Sequence, residues 1–431
     1  MKPSFIISCP IDTYSGYGAR SRDLVKAIIE LDKYKVNILP QRWGNTPWGF
    51  IEDHSEWQFL NEYILPDSRN IPFKPMIWAQ VTVPNEFQPM GDFNIGISAG
   101  IETTICHVDW VEGFNRMDLN LISSEFSKEV VQRSRYKKQD EQGNHYGTVE
   151  LIKPMEVLFE GADLTKYFPS KNNNSFNLDE IKESFAYLFV GHWLPGDLGE
   201  DRKNVGLMIQ TFYESFKNHP SPPALILKTS SGPASYMDRD SILDKIYSIK
   251  NSIENADTLP NVYLLHGELT DEEMNNLYNH KKVKAMLSLT KGEGFGRPLL
   301  EFSLTKKPII ASEWSGHMDF LSPKFNILIE GTLGKVHPSV GQKNMLLENS
   351  EWFNADPARF SYYMRDVFVN YKKYTKKSML QYHKSKNSFG FDNMVDLLET
   401  YLDKYLPSFP NPINMKLPEL TLPKLEKTKN V

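Results

Sequence analysis

Short apolar runs alternate along the chain with stretches whose apolar residues recur at helical spacing. Residues 5–9 form the first apolar run, residues 13–18 are expected as a glycine-bearing loop, and residues 20–31 follow as an amphipathic helix. Residues 35–39 return as a second apolar run. Strands that alternate with amphipathic helices in this way are typical of parallel sheets flanked by helices.

The same pattern continues through both halves of the chain. In the first half it predicts further strands at residues 77–83, 94–98, 119–123 and 155–159. In the second half it predicts strands at residues 186–191, 224–228, 262–266, 283–289 and 308–311. The helices expected among these strands lie at residues 205–216, 242–253 and 271–278. We therefore predict an α/β protein with two Rossmann-like domains that face each other across a cleft.

A polar break at residues 169–177 separates the two halves, and three consecutive asparagines lie within it. Such a segment has no core-forming period and is typical of an interdomain connection. The predicted organisation is an N-terminal domain, a hinge, a C-terminal domain, a last helix that packs back on the N-terminal domain, and an extended or disordered tail, at residues 1–168, 169–182, 183–388, 389–406 and 407–431. Ligands of such folds bind at the carboxyl ends of the strands, which here means the cleft.

Composition and charge narrow the class of protein. The chain has 431 residues, 40% hydrophobic and 24% charged, as in an ordinary folded protein of two or three domains. A formal net charge of −5 gives no general attraction to nucleic acid or to an anionic membrane. Cys9 and Cys106 do not form a disulfide framework, and no apolar stretch approaches the ~20 residues of a membrane span. These features predict a soluble cytoplasmic protein.

The segment with the most chemical information is residues 291–301, which reads KGEGFGRPLLE. Its glycines leave the backbone N–H groups open to a ligand, and Pro298 suits the first turn of a helix. The N-terminus of that helix would favour a diphosphate. Glu293 and Glu301 lie before and within the helix. A pair of glutamates at this spacing is common by chance, but its combination with a strand, a glycine loop and a proline is rare and favours a ligand site.

A second charged group, DRKN at residues 201–204, lies between a predicted strand and a predicted helix. Fixed cations such as Arg202 and Lys203 can stabilise the negative charge of a phosphate group without a metal ion. A solvated basic turn is the alternative interpretation. Residues 194–200 lengthen this loop, which leaves open which cation contacts which phosphate.

The sequence EGFGRPLLE at residues 293–301 resembles the signature of the retaining GT-B enzymes of glycosyltransferase family 4. Other segments resemble the same family in the expected order, and they are GYG at 16–18, SEF at 124–126, FEGAD at 159–163, YFP at 167–169, LHGEL at 265–269 and PIIAS at 308–312. The resemblance spans roughly residues 5–405, and its most specific motifs lie in the C-terminal half.

This resemblance implies a metal-independent transfer, with retention, of a sugar from a nucleotide-diphosphate sugar to an acceptor hydroxyl. It implies no cofactor beyond that co-substrate. Glu293 would bind the donor sugar, Glu301 would accept hydrogen bonds from the ribose, and Arg202 and Lys203 would contact the diphosphate. His107 would help to orient the donor, although an isolated histidine is also often structural.

The remaining site residues implied by the resemblance belong to glycine loops and to the segment beside the nucleotide base. They are Gly16, Gly18, Gly267, Leu269, Gly294, Phe295 and Gly296. Glu102 and Trp110 are candidates for the acceptor side, and a core position for Trp110 stays open.

Two alternatives remain. The acceptor is unidentified and can be a glycan, a lipid-linked molecule or a modified nucleic-acid base, as in viral DNA-modifying enzymes; basic clusters at 133–138 and 372–377 permit the last of these. A non-catalytic carbohydrate- or nucleotide-binding protein on the same scaffold is the second alternative. The sequence DRD at 238–240 has the spacing of a metal-binding motif, but we predict it at the surface or at a helix start.

Overall fold

Two parallel six-stranded sheets, one in each half of the chain, organise the residues that the computed structural model describes. These are residues 2–66, 71, 73–139, 142–170, 176–340, 347 and 349–409. Residues 171–175 of the predicted hinge and the predicted tail from residue 410 onward lie outside the described residues. No helix within the described ranges has both the length and the apolar character that crossing a membrane requires.

The first domain contains one parallel sheet, a hairpin and four α-helices in its described part. The sheet strands are β1 (Ser4–Cys9), β2 (Lys35–Pro40), β3 (Ile77–Val81), β4 (Phe93–Ser98), β5 (Leu119–Ile122) and β8 (Met155–Val157). Their order is β2-β1-β3-β4-β5-β8. The helices are α1 (Gly16–Glu30), α2 (Phe50–Asp53), α3 (Val108–Asn115) and α4 (Glu125–Arg133), and the antiparallel hairpin consists of β6 (Tyr136–Gln139) and β7 (His145–Val149).

The second domain repeats this plan. Its sheet strands are β9 (Ala186–Val190), β10 (Ala224–Lys228), β11 (Val262–Leu265), β12 (Val283–Ser288), β13 (Ile309–Ser312) and β14 (Ile327–Ile329), in the order β11-β10-β9-β12-β13-β14. An antiparallel pair consists of β15 (Gly331–Lys335) and β16 (Glu351–Ala355). The helices that follow β9 in the chain are α5 (Val205–Phe216), α6 (Tyr236–Asn251), α7 (Asp271–Asn279), α8 (Arg297–Ser303), α9 (Pro357–Val369), α10 (Tyr371–Ser388) and α11 (Phe391–Tyr405).

Each predicted sheet strand is confirmed to within two residues at either end. Strands of parallel sheets are covered by helices on both faces and therefore read as continuous apolar runs, which are easy to detect. In β1, for example, Phe5, Ile6, Ile7 and Cys9 are each at most 1% exposed. The predicted α/β architecture of two Rossmann-like domains is thus confirmed.

The start of α1 differs from the prediction of a loop at residues 13–18. The helix begins at Gly16 because Ser15 is its N-cap, with an extended backbone (φ −135°, ψ 163°) and a side chain that accepts a hydrogen bond from Gly18 N at 2.9 Å. Serine is among the best N-cap residues, so a glycine pair that suggests a loop becomes the first helical turn here.

The chain crosses between the domains in both directions. The buried face of α11 lies in the core of the first domain, and it consists of Phe391, Met394, Leu398 and Leu402. Conversely, Tyr167, Leu178 and Ile181 are buried in a core of the second domain, so packed contacts extend over both ends of the predicted hinge. The chain thus enters the second domain before β9 and returns to the first domain at α11, after the last strand of the second sheet.

Candidate active site

The loop 291–296, between β12 and α8, presses directly against the loop that follows β4 in the first domain. A Cβ atom added to Gly292 would lie 2.0 Å from the carbonyl oxygen of Glu102, and one added to Gly294 would lie 2.1 Å from that of Ala99. Side-chain atoms do not fit at such distances, so only glycine permits this approach. From the sequence, we expected these glycines to leave backbone N–H groups open to a ligand. In the structure, Gly292 and Gly294 allow close contact between the two domains.

Glu293 lies between two cations at this contact and is only 8% exposed. Its carboxylate forms an ion pair with Lys203 Nζ, and its Oε2 lies 3.6 Å from Arg202 Nη1. Arg202 Nη1 also lies 3.2 Å from Glu102 Oε1 of the first domain. Burial is the largest influence on Glu293 and acts to raise its pKa, but Lys203 and Arg202 together hold the pKa below the ordinary value. The carboxylate is therefore ionised.

Backbone hydrogen bonds hold the two charged loops together. Lys291 N donates to the carbonyl oxygen of Arg202 at 2.7 Å, and Arg202 Nη1 donates to the carbonyl oxygen of Gly292 at 2.9 Å. Asn204 lies in the left-handed region (φ 55°), which asparagine tolerates better than most residues, and it turns the chain into α5. The structure thus brings the adjacent residues Arg202 and Lys203 together with Glu293, which lies 90 residues beyond Lys203 in the sequence.

A cavity of about 270 Å³ lies in the cleft and is lined by both domains. From the first domain it is lined by Gly16 and Asp23 of α1, among others, and from the second by Glu268, Arg297 and Glu301. Arg297 Nη1 lies 2.5 Å from Asp23 Oδ2, and Arg297 Nε donates to Glu301 Oε1 at 2.8 Å. The cavity therefore contains a buried ion-pair network that spans the two domains.

Glu301 is unusual among the carboxyl groups of the cleft. Burial raises its pKa to about 7, although Arg297 works in the opposite direction and the Tyr278 hydroxyl donates to Oε2 at 3.3 Å. Its predicted position facing a ligand is compatible with this structure, because Glu301 lines the cavity. Its protonation near neutral pH could not be expected from the sequence.

Other predicted donor-binding residues have different surroundings. Gly267 adopts φ +115° beside the cavity-lining Glu268, and Leu269 packs partly buried against a core of the second domain. Gly18 approaches the Thr13 carbonyl so closely that a Cβ would lie 2.3 Å from its oxygen. Phe295 is 2% exposed, and its ring lies 5.1 Å from that of Phe320, so its side chain belongs to the core. Gly296 lies at the N-cap of α8 with φ 96°.

His107 and Trp110 have structural positions in the first domain. His107 is the N-cap of α3, and its Nδ1 accepts a hydrogen bond from Asp109 N at 3.2 Å. Trp110 is 7% exposed and belongs to a core cluster of that domain, because it lies on the buried face of α3. This is the core position that the sequence had left open for Trp110, and an acceptor-side role for it stays a prediction. Glu102, the other acceptor-side candidate, lies at the contact between the domains.

Several residues of the site were missed in the sequence. Asp23 and Arg297 form the interdomain ion pair described above, and Tyr278 contacts Glu301. His317 is fully buried near Glu293; its Nε2 lies 2.7 Å from the Ser312 carbonyl oxygen, and its Nδ1 has no hydrogen-bond partner among the described residues. Burial lowers the pKa of His317, which favours the neutral ring. Of these residues, only Arg297 could have been found from the sequence, because it lies inside the glycine motif at residues 291–301.

No group of three or more His, Cys, Asp or Glu side chains that could hold a metal ion occurs in the part of the chain that the structure describes. The predicted helix start at residues 238–240 is confirmed, since this segment lies in the first turns of α6. Asp238 accepts hydrogen bonds from the backbone of Ser231 and lies 2.7 Å from His266 Nε2.

Comparison with known proteins shows similarity to glycosyltransferases in sequence and in fold. Residues 244–362 match the family model described as "Glycosyl transferases group 1". No curated protein matches the chain by sequence. Among solved structures, the chain is similar to sucrose-phosphate synthase from Thermosynechococcus elongatus, with 11% identity, a TM-score of 0.61, and coverage of 94% of this chain and 99% of that one.

Two further solved structures show the same likeness. A glycosyltransferase from Rickettsia africae ESF-5 has 13% identity and a TM-score of 0.59, with 93% of this chain and 98% of that chain covered. Anabaena Alr3699/HepE in complex with UDP has 12% identity and a TM-score of 0.60, with 94% and 100% covered. At such identities the likeness establishes the fold, which is GT-B. The chain resembles the group 1 glycosyltransferases, and the family match and the fold together support a glycosyltransferase.

Proposed function

We propose that this protein is a retaining glycosyltransferase that moves a sugar from a nucleotide-diphosphate sugar to an acceptor hydroxyl, without a metal ion. The observation that carries the proposal is the cluster of Glu293, Arg202 and Lys203 at the contact between the two domains. Two cations and an ionised carboxylate are held there by the backbone, in a cleft that excludes most solvent.

The nucleoside of the donor would occupy the cavity beside Glu301. Ribose hydroxyls donate hydrogen bonds readily to carboxylates, and Glu301 lines this cavity. The base would lie against the segment 267–269. The Anabaena protein of the same fold is in complex with UDP, which supports a nucleotide-containing donor for this chain.

The diphosphate and the sugar would lie on the side of the cavity where the cation cluster is found. Arg202 and Lys203 are paired with Glu293 in the present structure. A bound diphosphate would draw both cations away from the carboxylate, and Glu293 could then accept hydrogen bonds from hydroxyls of the donor sugar. The charge that develops on the leaving phosphate would meet cations that are already in place, which lowers the barrier.

In the proposed reaction, the bond between the anomeric carbon and the phosphate oxygen breaks with its electron pair going to the diphosphate. The acceptor oxygen forms its bond to the same face of the anomeric carbon, and its proton passes to the departing phosphate oxygen. Retention follows from attack on the face that the leaving group vacates. Contact between the domains, through Gly292 and Gly294, would exclude water and suppress hydrolysis.

A thermal-shift panel of nucleotide sugars tests the donor, because a true donor stabilises the folded protein by mass action. With the donor identified, Glu293→Gln and Lys203→Ala are expected to abolish hydrolysis and transfer while the protein remains folded, as a cooperative melting transition would show. The matched control is Glu272→Gln, an exposed glutamate on α7.

Full activity in both purified site variants would refute the assignment of the site. Stabilisation by a nucleotide sugar, without hydrolysis or transfer to any acceptor, would instead indicate a binding protein on this scaffold.

A further inference from the structure

An aromatic loop, residues 41–50 (QRWGNTPWGF), follows β2 at the carboxyl end of the first sheet. The side chain of Trp48 is 40% exposed, and that of Trp43 is partly exposed. The backbone of this loop is fixed to the loop after β1, since Tyr14 N donates to Pro47 O at 3.1 Å and Gly49 N donates to Asp12 O at 3.0 Å. Large aromatic side chains on a braced loop lose little conformational entropy when they bind a ligand.

Consecutive contacts connect the aromatic loop with the reaction site. The Trp43 ring stacks on the Tyr17 ring with centroids 3.9 Å apart, and Ala99 N donates a hydrogen bond to the Tyr17 hydroxyl at 3.1 Å. The carbonyl oxygen of Ala99 is the atom against which Gly294 packs. Because Gly294 directly follows Glu293, these contacts connect the aromatic loop to the proposed reaction site from the first-domain side.

We propose that Trp43 and Trp48 form the surface on which the acceptor binds, and that the acceptor is a carbohydrate. This inference rests on the proposed transferase function. A sugar ring has an apolar face of C–H groups, which packs on the electron-rich face of an indole, and a rim of hydroxyl groups. The guanidinium carbon of Arg42 lies over the Trp48 ring, 5.5 Å from its centroid, so a sugar that stacks on Trp48 would use the other face of the indole.

The charge of this region decides between a sugar and a nucleobase, since both can stack on tryptophan. Residues 41–66 contain a single cationic side chain, Arg42, and four acidic residues, Glu52, Asp53, Glu56 and Glu62. A nucleic acid needs cations that neutralise its phosphates, and a net negative surface repels it. Of the two basic clusters, 372–377 lies on α10 of the second domain. In the cluster 133–138 of the first domain, the charges of Arg133, Arg135 and Lys138 are paired with glutamates. An uncharged saccharide fits the loop better.

Binding to a glycan array tests this inference, with the protein saturated by the donor nucleotide found in the thermal-shift panel. Wild type is expected to retain a defined set of saccharides, and Trp43→Ala and Trp48→Ala are each expected to weaken that retention by about tenfold, as for loss of an aromatic anchor. Trp43→Phe should keep most of the binding because a stacking ring remains. Tyr236→Ala, which removes an 86% exposed aromatic ring from the second domain, is the matched control and should bind as wild type does.

Thermal stabilisation by the donor is measured for every variant and separates the two proposals. If no nucleotide sugar stabilises the wild type, the proposed function fails. If the donor stabilises all variants but the wild type retains no saccharide, or Trp43→Ala and Trp48→Ala retain saccharides as well as the wild type, the proposed carbohydrate-binding surface is refuted. Retention of a 30-base-pair DNA duplex that is lost on Trp43→Ala would also refute it, in favour of a nucleic-acid acceptor.

Discussion

Glu301 shows how much the cleft changes a single carboxyl group. It accepts hydrogen bonds from Arg297 and from the Tyr278 hydroxyl, yet burial raises its pKa to about 7. At neutral pH both protonation states are therefore populated. A carboxylate can accept hydrogen bonds at both oxygens, whereas the protonated group uses one oxygen as a donor.

Donor affinity is predicted to rise with pH around neutrality. If ribose hydroxyls of the nucleotide sugar donate hydrogen bonds to the ionised form of Glu301, binding of the nucleotide sugar lowers the pKa of Glu301. Below pH ~7, binding then releases a proton. With a pKa of about 7, the ionised fraction falls from about nine tenths at pH 8 to about one tenth at pH 6, so the affinity should fall roughly tenfold. Titration calorimetry at both pH values, in buffers of different ionisation enthalpy, measures the affinity and the proton release.

The matched variant for this prediction is Glu301→Gln, which keeps the shape of the side chain and removes the titration. Its donor affinity should be weaker than that of wild type at pH 8 and nearly independent of pH. The same pH dependence in this variant would show that another group is responsible.

At the residue scale, the sequence predicted those site residues that lie in short contiguous motifs. Arg202, Lys203 and Glu293 lie on two loops at the ends of neighbouring strands, where the fold brings them together. Asp23 was not predicted, because only the docking of α1 against the second domain places its carboxylate 2.5 Å from Arg297. The surroundings of His107 were also not predictable, since a histidine has no sequence signal that separates a helix cap from a ligand.

At the scale of elements, the loop 291–296 contacts the first domain closely at Gly292 and Gly294, where only glycine fits. Gly294→Ala would put a Cβ about 2.1 Å from the Ala99 carbonyl oxygen, so the closed contact could form only after the backbone has moved. A displacement of about 1 Å in a reacting geometry can cost about 10²-fold in rate. We expect a loss of transfer of that order, measured as kcat/KM for the donor, with little change in the melting temperature.

Gly232→Ala is the control for this substitution, because a Cβ there would meet no atom within 4 Å. It should retain the activity of the wild type. Equal activity of Gly294→Ala and Gly232→Ala would show that the observed contact between the domains is not required for transfer.

The three-residue strand β14 was missed, but the other strands of the two sheets were predictable because they are apolar on both faces. The hairpin β6–β7 was not, since most residues of Tyr136–Gln139 and His145–Val149 are exposed and polar. The apolar alternation that marks a half-buried strand is absent there. The start of α1 was misplaced for a different reason, because a glycine pair concealed a first helical turn that Ser15 caps.

At the scale of the whole molecule, the first domain depends on a helix from the far end of the described chain. Leu398 of α11 is 2% exposed in the core of that domain. Leu398→Ala is expected to lower the free energy of unfolding by about 2–5 kcal/mol, the usual cost of a large-to-small change in a core. Chemical denaturation measures this change, and the transition affected should be that of the first domain.

Asp396→Ala, on the exposed face of the same helix, is the control and should change the free energy of unfolding by no more than about 0.5 kcal/mol. If both variants unfold alike, α11 does not contribute to the stability of the first domain in solution.

The return of α11 to the first domain also bears on the order of events during synthesis. The strands of the first sheet are complete by residue 157, but the core that they enclose still lacks Phe391, Met394, Leu398 and Leu402. The whole second sheet and the helices α5 to α10 emerge from the ribosome before those four side chains. The first domain is therefore translated first, but its core is completed last. Until α11 has been synthesised, the apolar surface that α11 covers stays exposed while the second domain can already fold.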